Sequence, residues 1–143
     1  MQPSHVLVPM DRSPLAEKAL RHALAVFDCK VTVLNIITPL DSRLSEGGML
    51  ERDETRLEAE RQRAEKLIER ARQQAETANR EIEVIIEIGT PAEKILTHVD
   101  THEIDQIVMG SHGGGNGRIA RRLLGTVSTA VIGDSPVTVT VVR

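Results

Sequence analysis

Aromatic residues are almost missing from this chain, which has one Phe and neither Tyr nor Trp in 143 residues. Proteins that grip single-stranded nucleic acid stack the bases on aromatic rings, so that mode of recognition is excluded. Positive charge is also short. Eighteen Lys and Arg stand against 21 Asp and Glu, a formal net charge of −3, whereas general nucleic-acid affinity needs a basic surface to neutralise phosphates. Cys29 is alone, so neither an intramolecular disulfide nor a cysteine-rich metal site can form, and it reads as a small buried hydrophobe. No apolar run approaches the ~20 residues that a membrane-spanning helix needs. The start, Met1-Gln2-Pro3-Ser4-His5, lacks the basic and long apolar regions of an export signal. The expectation is a cytoplasmic protein that does not insert into membranes.

With 40% apolar and 27% charged residues, the composition is that of a globular protein, and the length fits one domain over residues 1–143. Strand and helix patterns alternate along it. His5-Val6-Leu7-Val8-Pro9 reads as a buried strand, and Ser13 is placed to cap a helix with Pro14 at its first position. Ala16, Ala19, Leu20, Ala23, Leu24 and Phe27 then form one helical stripe. Lys30 to Ile37 is a β-branched strand. A long charged helix ends near Asn79, with an apolar stripe of Leu57, Ala64, Leu67, Ile68, Ala71, Ala75 and Ala78. Its outer face carries Glu58/Arg61, Glu60/Arg63 and Glu69/Arg72 at ion-pair spacing, which reads as a solvated face.

Glu83 to Ile88 is the third strand. Thr90-Pro91-Ala92-Glu93 has capping-box spacing before a short helix through Val99. Gln106 to Met109 is the fourth strand, Arg118 to about Ile132 the fourth helix with Gly133 as its stop, and Val137 to Val142 the fifth strand. This alternation implies an α/β fold: an open, doubly wound parallel sheet of five strands, Rossmann-like with order 3-2-1-4-5, and four helices.

In such a sheet, ligands bind beyond the carboxyl ends of the strands where the order reverses, between strands one and four. Pro9-Met10-Asp11 and the glycine-rich stretch from Gly110 converge there. An aspartate can accept hydrogen bonds from ribose hydroxyls, glycine-rich backbone and a helix N-terminus can hold phosphates, and Arg118 adds charge. Two common fingerprints fail. No Lys-Ser/Thr follows a G-x-x-x-x-G frame, and the first strand-to-helix turn, Met10-Asp11-Arg12-Ser13, has no glycine. Asp11 also has a local use, since a residue at a helix entry can satisfy nearby N–H groups. His98 and His102 stand four apart, as metal ligands on a helix do, but no third ligand accompanies them.

The whole chain resembles the universal stress protein family. Val6-Leu7-Val8-Pro9-Met10-Asp11-Arg12-Ser13 is similar to the family's Val-Pro-x-Asp-x-Ser start, and Pro136 to Arg143 is similar to its closing strand. Gly110-Ser111-His112-Gly113 and Gly125-Thr126 resemble its ATP-binding pattern, G-x-x-G, nine residues, then G-S/T. Eleven residues separate Gly113 from Gly125, and counting from Gly115 restores nine, as though Gly114-Gly115 were inserted. The resemblance implies ATP, with Mg²⁺, as the cofactor. Asp11 would bind ribose, Pro9, Met10 and Ile36 would line the adenine pocket, and Met109 and Gly110 would contact the nucleoside. Gly113, Gly125, Thr126 and Val127 would hold the phosphates, with His112 beside them as a contact and not a catalyst. It also implies a homodimer joined through the edge strand Val137–Val142. The polar segment Asp41 to Arg52, with Gly47-Gly48, follows a strand whose end faces the pocket and could cover bound nucleotide.

Three functions remain open on the sequence. The preferred one is a nucleotide-dependent regulatory module for stress response. The others are a slow ATPase using His112 and a dimeric scaffold that no longer binds nucleotide.

Overall fold

The computed structural model describes residues 2–11, 13–39, 50–111 and 125–143. The expected alternation is present: β1 (His5–Pro9), α1 (Pro14–Val26), β2 (Lys30–Ile37), α2 (Leu50–Thr77), β3 (Glu83–Ile88), α3 (Pro91–Thr101), β4 (Gln106–Gly110), α4 (Thr126–Asp134) and β5 (Thr138–Val142). The strands form one sheet in the order β3-β2-β1-β4-β5, and every pairing is parallel. The fold class and strand order are those read from the sequence.

Alternation along β1 divides the core. Val6 and Val8 pack with Leu20, Ala23, Val31, Val33, Leu67 and Ala71 on the face covered by α1 and α2. Leu7 points the other way and packs with Leu34, Ile95, Val99, Ile107, Met109 and Val131 beneath α3 and α4. Both clusters meet at β1, whose three central residues are fully buried. That burial on two faces explains why the strand is a continuous apolar run.

Helix ends show where local chemistry was read correctly and where it was not. Ser13 caps α1, its hydroxyl oxygen accepting from the Ala16 N–H at 3.2 Å, with Pro14 in the first turn. Thr90 stands at the cap of α3 but makes no side-chain cap bond, so the expected capping box does not close. Proline at the first position has already removed one donor there. The long helix stops at Thr77, before Asn79, which adopts a left-handed φ of 56°. The Asn79 N–H donates to Glu76 O at 2.9 Å and the Arg80 N–H to Ala75 O at 2.8 Å, the paired bonds of a Schellman stop. The Arg80 guanidinium then donates to the carbonyls of Leu24, Phe27 and Cys29. It ties the end of α2 to the α1–β2 connection.

The fourth helix also differs from expectation. Gly125 is extended (φ −68°, ψ 165°) and caps a helix that begins at Thr126, so no helix runs unbroken from Arg118 to Ile132. The stretch 118–124 lies outside the described residues. Gly133 is inside α4 and does not end it. The end comes at Ser135, whose N–H donates to Val131 O. Of the three ion-pair spacings on α2, Glu60–Arg63 closes, at 2.6 Å.

Candidate nucleotide site

The carboxyl ends of β1 and β4 open onto a cavity of about 200 Å³. Its position is the point where the strand order reverses on either side of β1, which is where a parallel sheet leaves a crevice. Nine of the residues singled out from the sequence line it: Pro9, Met10, Asp11, Ile36, Met109, Gly110, Gly125, Thr126 and Val127. His112, Gly113 and Arg118 lie outside the described residues, as do residues 41–49 of the segment expected to cover the site.

The floor is held by backbone bonds that leave little freedom. The Met10 N–H donates to Leu34 O at 2.9 Å, and the Asn35 side-chain amide donates to Met10 O at 2.9 Å. Together they fix the chain as it leaves β1, and so aim Asp11. One carboxylate oxygen of Asp11 accepts from the Ser13 N–H at 2.8 Å. The local use anticipated for this residue is therefore real, and it also sets the carboxylate's orientation. Asp11 remains exposed at the cavity wall.

On the opposite side, the Ser128 hydroxyl donates to Gly110 O at 2.9 Å and the Gly125 N–H to Ser111 O at 2.6 Å, docking the start of α4 against the end of β4. Gly110 is required by close approach. A Cβ there would stand 2.9 Å from Leu15 Cβ and 3.1 Å from the Leu15 carbonyl carbon, so the start of α1 could not pack where it does. The Ser111 hydroxyl is buried and has no partner among the described residues.

The helix N-termini at this end, those of α1, α3 and α4, differ in a way that matters. α1 is capped by its own Ser13, whereas α3 has no side-chain cap bond from Thr90 and α4 has Gly125 at its cap, with no side-chain cap bond to its first turn among the described residues. Thr126, Val127 and Ser128, the residues of that first turn, line the cavity. Uncapped N–H groups at a helix N-terminus carry partial positive charge and receive anions. The cavity thus has an apolar body of Met10, Leu34, Ile36, Ile95, Met109 and Val127, a carboxylate on one wall and an open helix terminus on another.

Sequence reasoning missed Ser13, Ala16, Leu34, Pro91, Ile95 and Ser128 as lining residues. Pro91 and Ile95 had a usable signal. In a parallel α/β sheet each helix starts near the carboxyl end of the strand before it, so the first turns of α3 and α4 face the same crevice.

His98 and His102 do not converge on a metal. Their rings stack with centroids 3.7 Å apart and planes 9° apart, and among the described residues no group of three or more His, Cys, Asp and Glu could hold an ion. His98 is 2% exposed, its Nδ1 is 3.8 Å from a Glu87 oxygen, and neither ring nitrogen has a hydrogen-bond partner among the described residues. Burial, followed by the His102 charge, holds its pKa below the ordinary histidine value.

Comparison with known proteins agrees with this architecture. A model of the universal stress protein family matches residues 3–143. The chain belongs to the universal stress protein family. It is 31% identical to universal stress protein MJ0577 of Methanocaldococcus jannaschii, over 96% of this chain and 93% of that protein. The solved structure of MJ0577 superposes with a TM-score of 0.81 at 28% identity, covering 99% of this chain and 96% of the other. UspA from Lactobacillus plantarum gives a TM-score of 0.85 at 24% identity over 100% and 99% of the two chains. An Arabidopsis thaliana family member, solved with AMP bound, shares the fold at a TM-score of 0.70 and 19% identity, covering 98% and 91%.

Proposed function

We propose that this universal stress protein is a nucleotide-binding regulatory module that holds ATP in the cavity between β1 and β4. The observation that carries the reading is one apolar cavity walled by Asp11 on one side and the uncapped N-terminus of α4 on the other. An adenine ring needs an apolar slot, a ribose needs an acceptor, and phosphates need N–H donors. The three requirements meet around about 200 Å³, a volume suited to the nucleoside, with the phosphates directed toward α4. The AMP carried by the Arabidopsis relative belongs to the same ligand class. Mg²⁺ would enter on the phosphates, since such ions are commonly held by one or two carboxylates together with the nucleotide. No helix among the described residues is long and apolar enough to cross a membrane. A cytoplasmic homodimer paired through Val137–Val142 completes the proposal.

The test is an ultraviolet spectrum of protein purified without added nucleotide, followed by chromatography of what acid releases. Without Trp or Tyr the chain absorbs very little near 280 nm, so bound adenine dominates the spectrum. Adenine nucleotide close to one per subunit supports the proposal, and the ATP-to-ADP ratio reports on turnover. An empty protein that also fails to bind added ATP with Mg²⁺ overturns it in favour of the scaffold.

A further inference from the structure

Behind Asp11 lies a second cavity, of about 300 Å³, between the end of β2 and the middle of α2. Asp11 and Ile36 belong to both cavities. A nucleoside seated in the first with its ribose against Asp11 therefore turns the hydroxyl-bearing edge of the sugar toward the second. The charged groups lining this chamber among the described residues are Asp11, Glu60 and Arg63. Arg63 Nη1 donates to Glu60 Oε1 at 2.6 Å, leaving the Asp11 carboxylate without a matching cation in the lining.

We infer that this chamber receives the ribose hydroxyl edge and selects against a phosphate on it, with Glu60 as the discriminating residue. The inference rests on the nucleotide reading above. A 2′- or 3′-phosphate entering the chamber meets two carboxylates and one guanidinium that is already paired. If Arg63 turns to the phosphate, Glu60 is left unpaired beside a dianion, so one attraction is exchanged for another and a repulsion is added. One N–H of the Asn35 amide already donates to Met10 O, which leaves a single uncharged donor to set against the phosphate. The pair sits at the rim of the chamber, on the α2 face that also carries buried Ala64 and Leu67, with both side chains more than a third exposed. It contributes little to folding, and its substitution leaves a folded protein to measure.

The experiment is titration calorimetry of the full chain with AMP, adenosine 3′,5′-bisphosphate and adenosine 2′,5′-bisphosphate, which differ by a single phosphate on the ribose edge. In the wild type, AMP binds at least about tenfold more tightly than either bisphosphate. Glu60→Gln frees Arg63 and removes one repulsive charge, so the preference for AMP over the better-accommodated bisphosphate falls by about tenfold. The double substitution Glu60→Gln with Arg63→Gln restores part of the preference, because the cation that welcomed the phosphate is gone. A bisphosphate that binds the wild type as tightly as AMP overturns the inference, as does an unchanged ratio in Glu60→Gln. If neither AMP nor the bisphosphates bind, the nucleotide reading falls and the inference with it, an outcome distinct from binding without discrimination.

Discussion

Asp11 carries two duties with one carboxylate: it accepts the Ser13 N–H at the entry to α1 and faces the cavity. Asp11→Ala removes a charged acceptor, worth roughly 1.5–3 kcal/mol in a hydrogen bond, and is expected to weaken ATP binding by about ten- to a hundredfold in calorimetric titration. Asp11→Asn, which keeps one acceptor oxygen, should fall between the two. Gly110→Ala tests the packing under the site. The added methyl meets Leu15 at 2.9 Å, and overpacking of this kind costs about 1–3 kcal/mol. Both the melting temperature and nucleotide affinity should drop. At His98, burial and the stacked His102 favour the neutral ring, and the pKa of His5 is lowered as well, first by burial and then by Lys30. With folded values below the unfolded one, the unfolded chain binds more protons over that window. This contribution to stability is therefore complete above about pH 6.5 and is lost as the pH falls through the folded values. His98→Leu, which replaces two unpartnered buried nitrogens, should flatten the fall in melting temperature between pH 8 and the mildly acidic range. An unchanged slope would assign it to other groups.

Among the elements, α4 departs furthest from its sequence reading. Its apolar pattern is weak, and a helix can be drawn through Gly125 on periodicity alone. What stops it is tertiary: the Gly125 N–H donates to Ser111 O and Ser128 to Gly110 O, holding the first turn against β4. The residues of the cavity were largely legible because Pro9, Met10 and Asp11 follow a strand and Gly125, Thr126 and Val127 begin a helix. Ile95 and Leu34 were not, because an apolar residue on a core stripe looks the same whether it packs against protein or against ligand. Turns give a prediction of their own. Glu103 follows the cap of α3 with a φ of 54°, a conformation that costs a non-glycine residue about 1–2 kcal/mol. Glu103→Gly is expected to raise the unfolding free energy by up to about 1 kcal/mol in urea titration. Asn79 already uses a residue tolerated there, so Asn79→Gly should gain less.

At the scale of the molecule, the sheet order leaves β3 and β5 as its two edges. Val139 packs on the α3/α4 cluster and Val142 on the α1/α2 cluster; Val141, partly exposed, belongs to neither. Pairing of β5 with its copy would cover that strand's free edge. Light scattering is expected to give twice the 15.7 kDa chain mass, and Val141→Lys to shift the protein toward monomer without unfolding it. A wild-type monomer at high concentration would remove the dimer from the proposal.

Strand and helix identity, their order and the parallel sheet follow from the sequence by itself, because period-2 and period-3.6 burial, proline at helix starts and polar connections are local signals that all point one way. The expected order of the strands also brings Asp11 and Gly110, at the ends of strands one and four, to one cavity. Only the tertiary structure decided that α4 begins at Gly125 on the cavity wall, that Gly110 exists to let Leu15 approach, that His98 is buried with no hydrogen-bond partner among the described residues, and that Arg63 closes on Glu60 beside Asp11. Each depends on distances between segments far apart in the chain or on which of several permitted contacts is made, and a one-dimensional pattern carries no term for either.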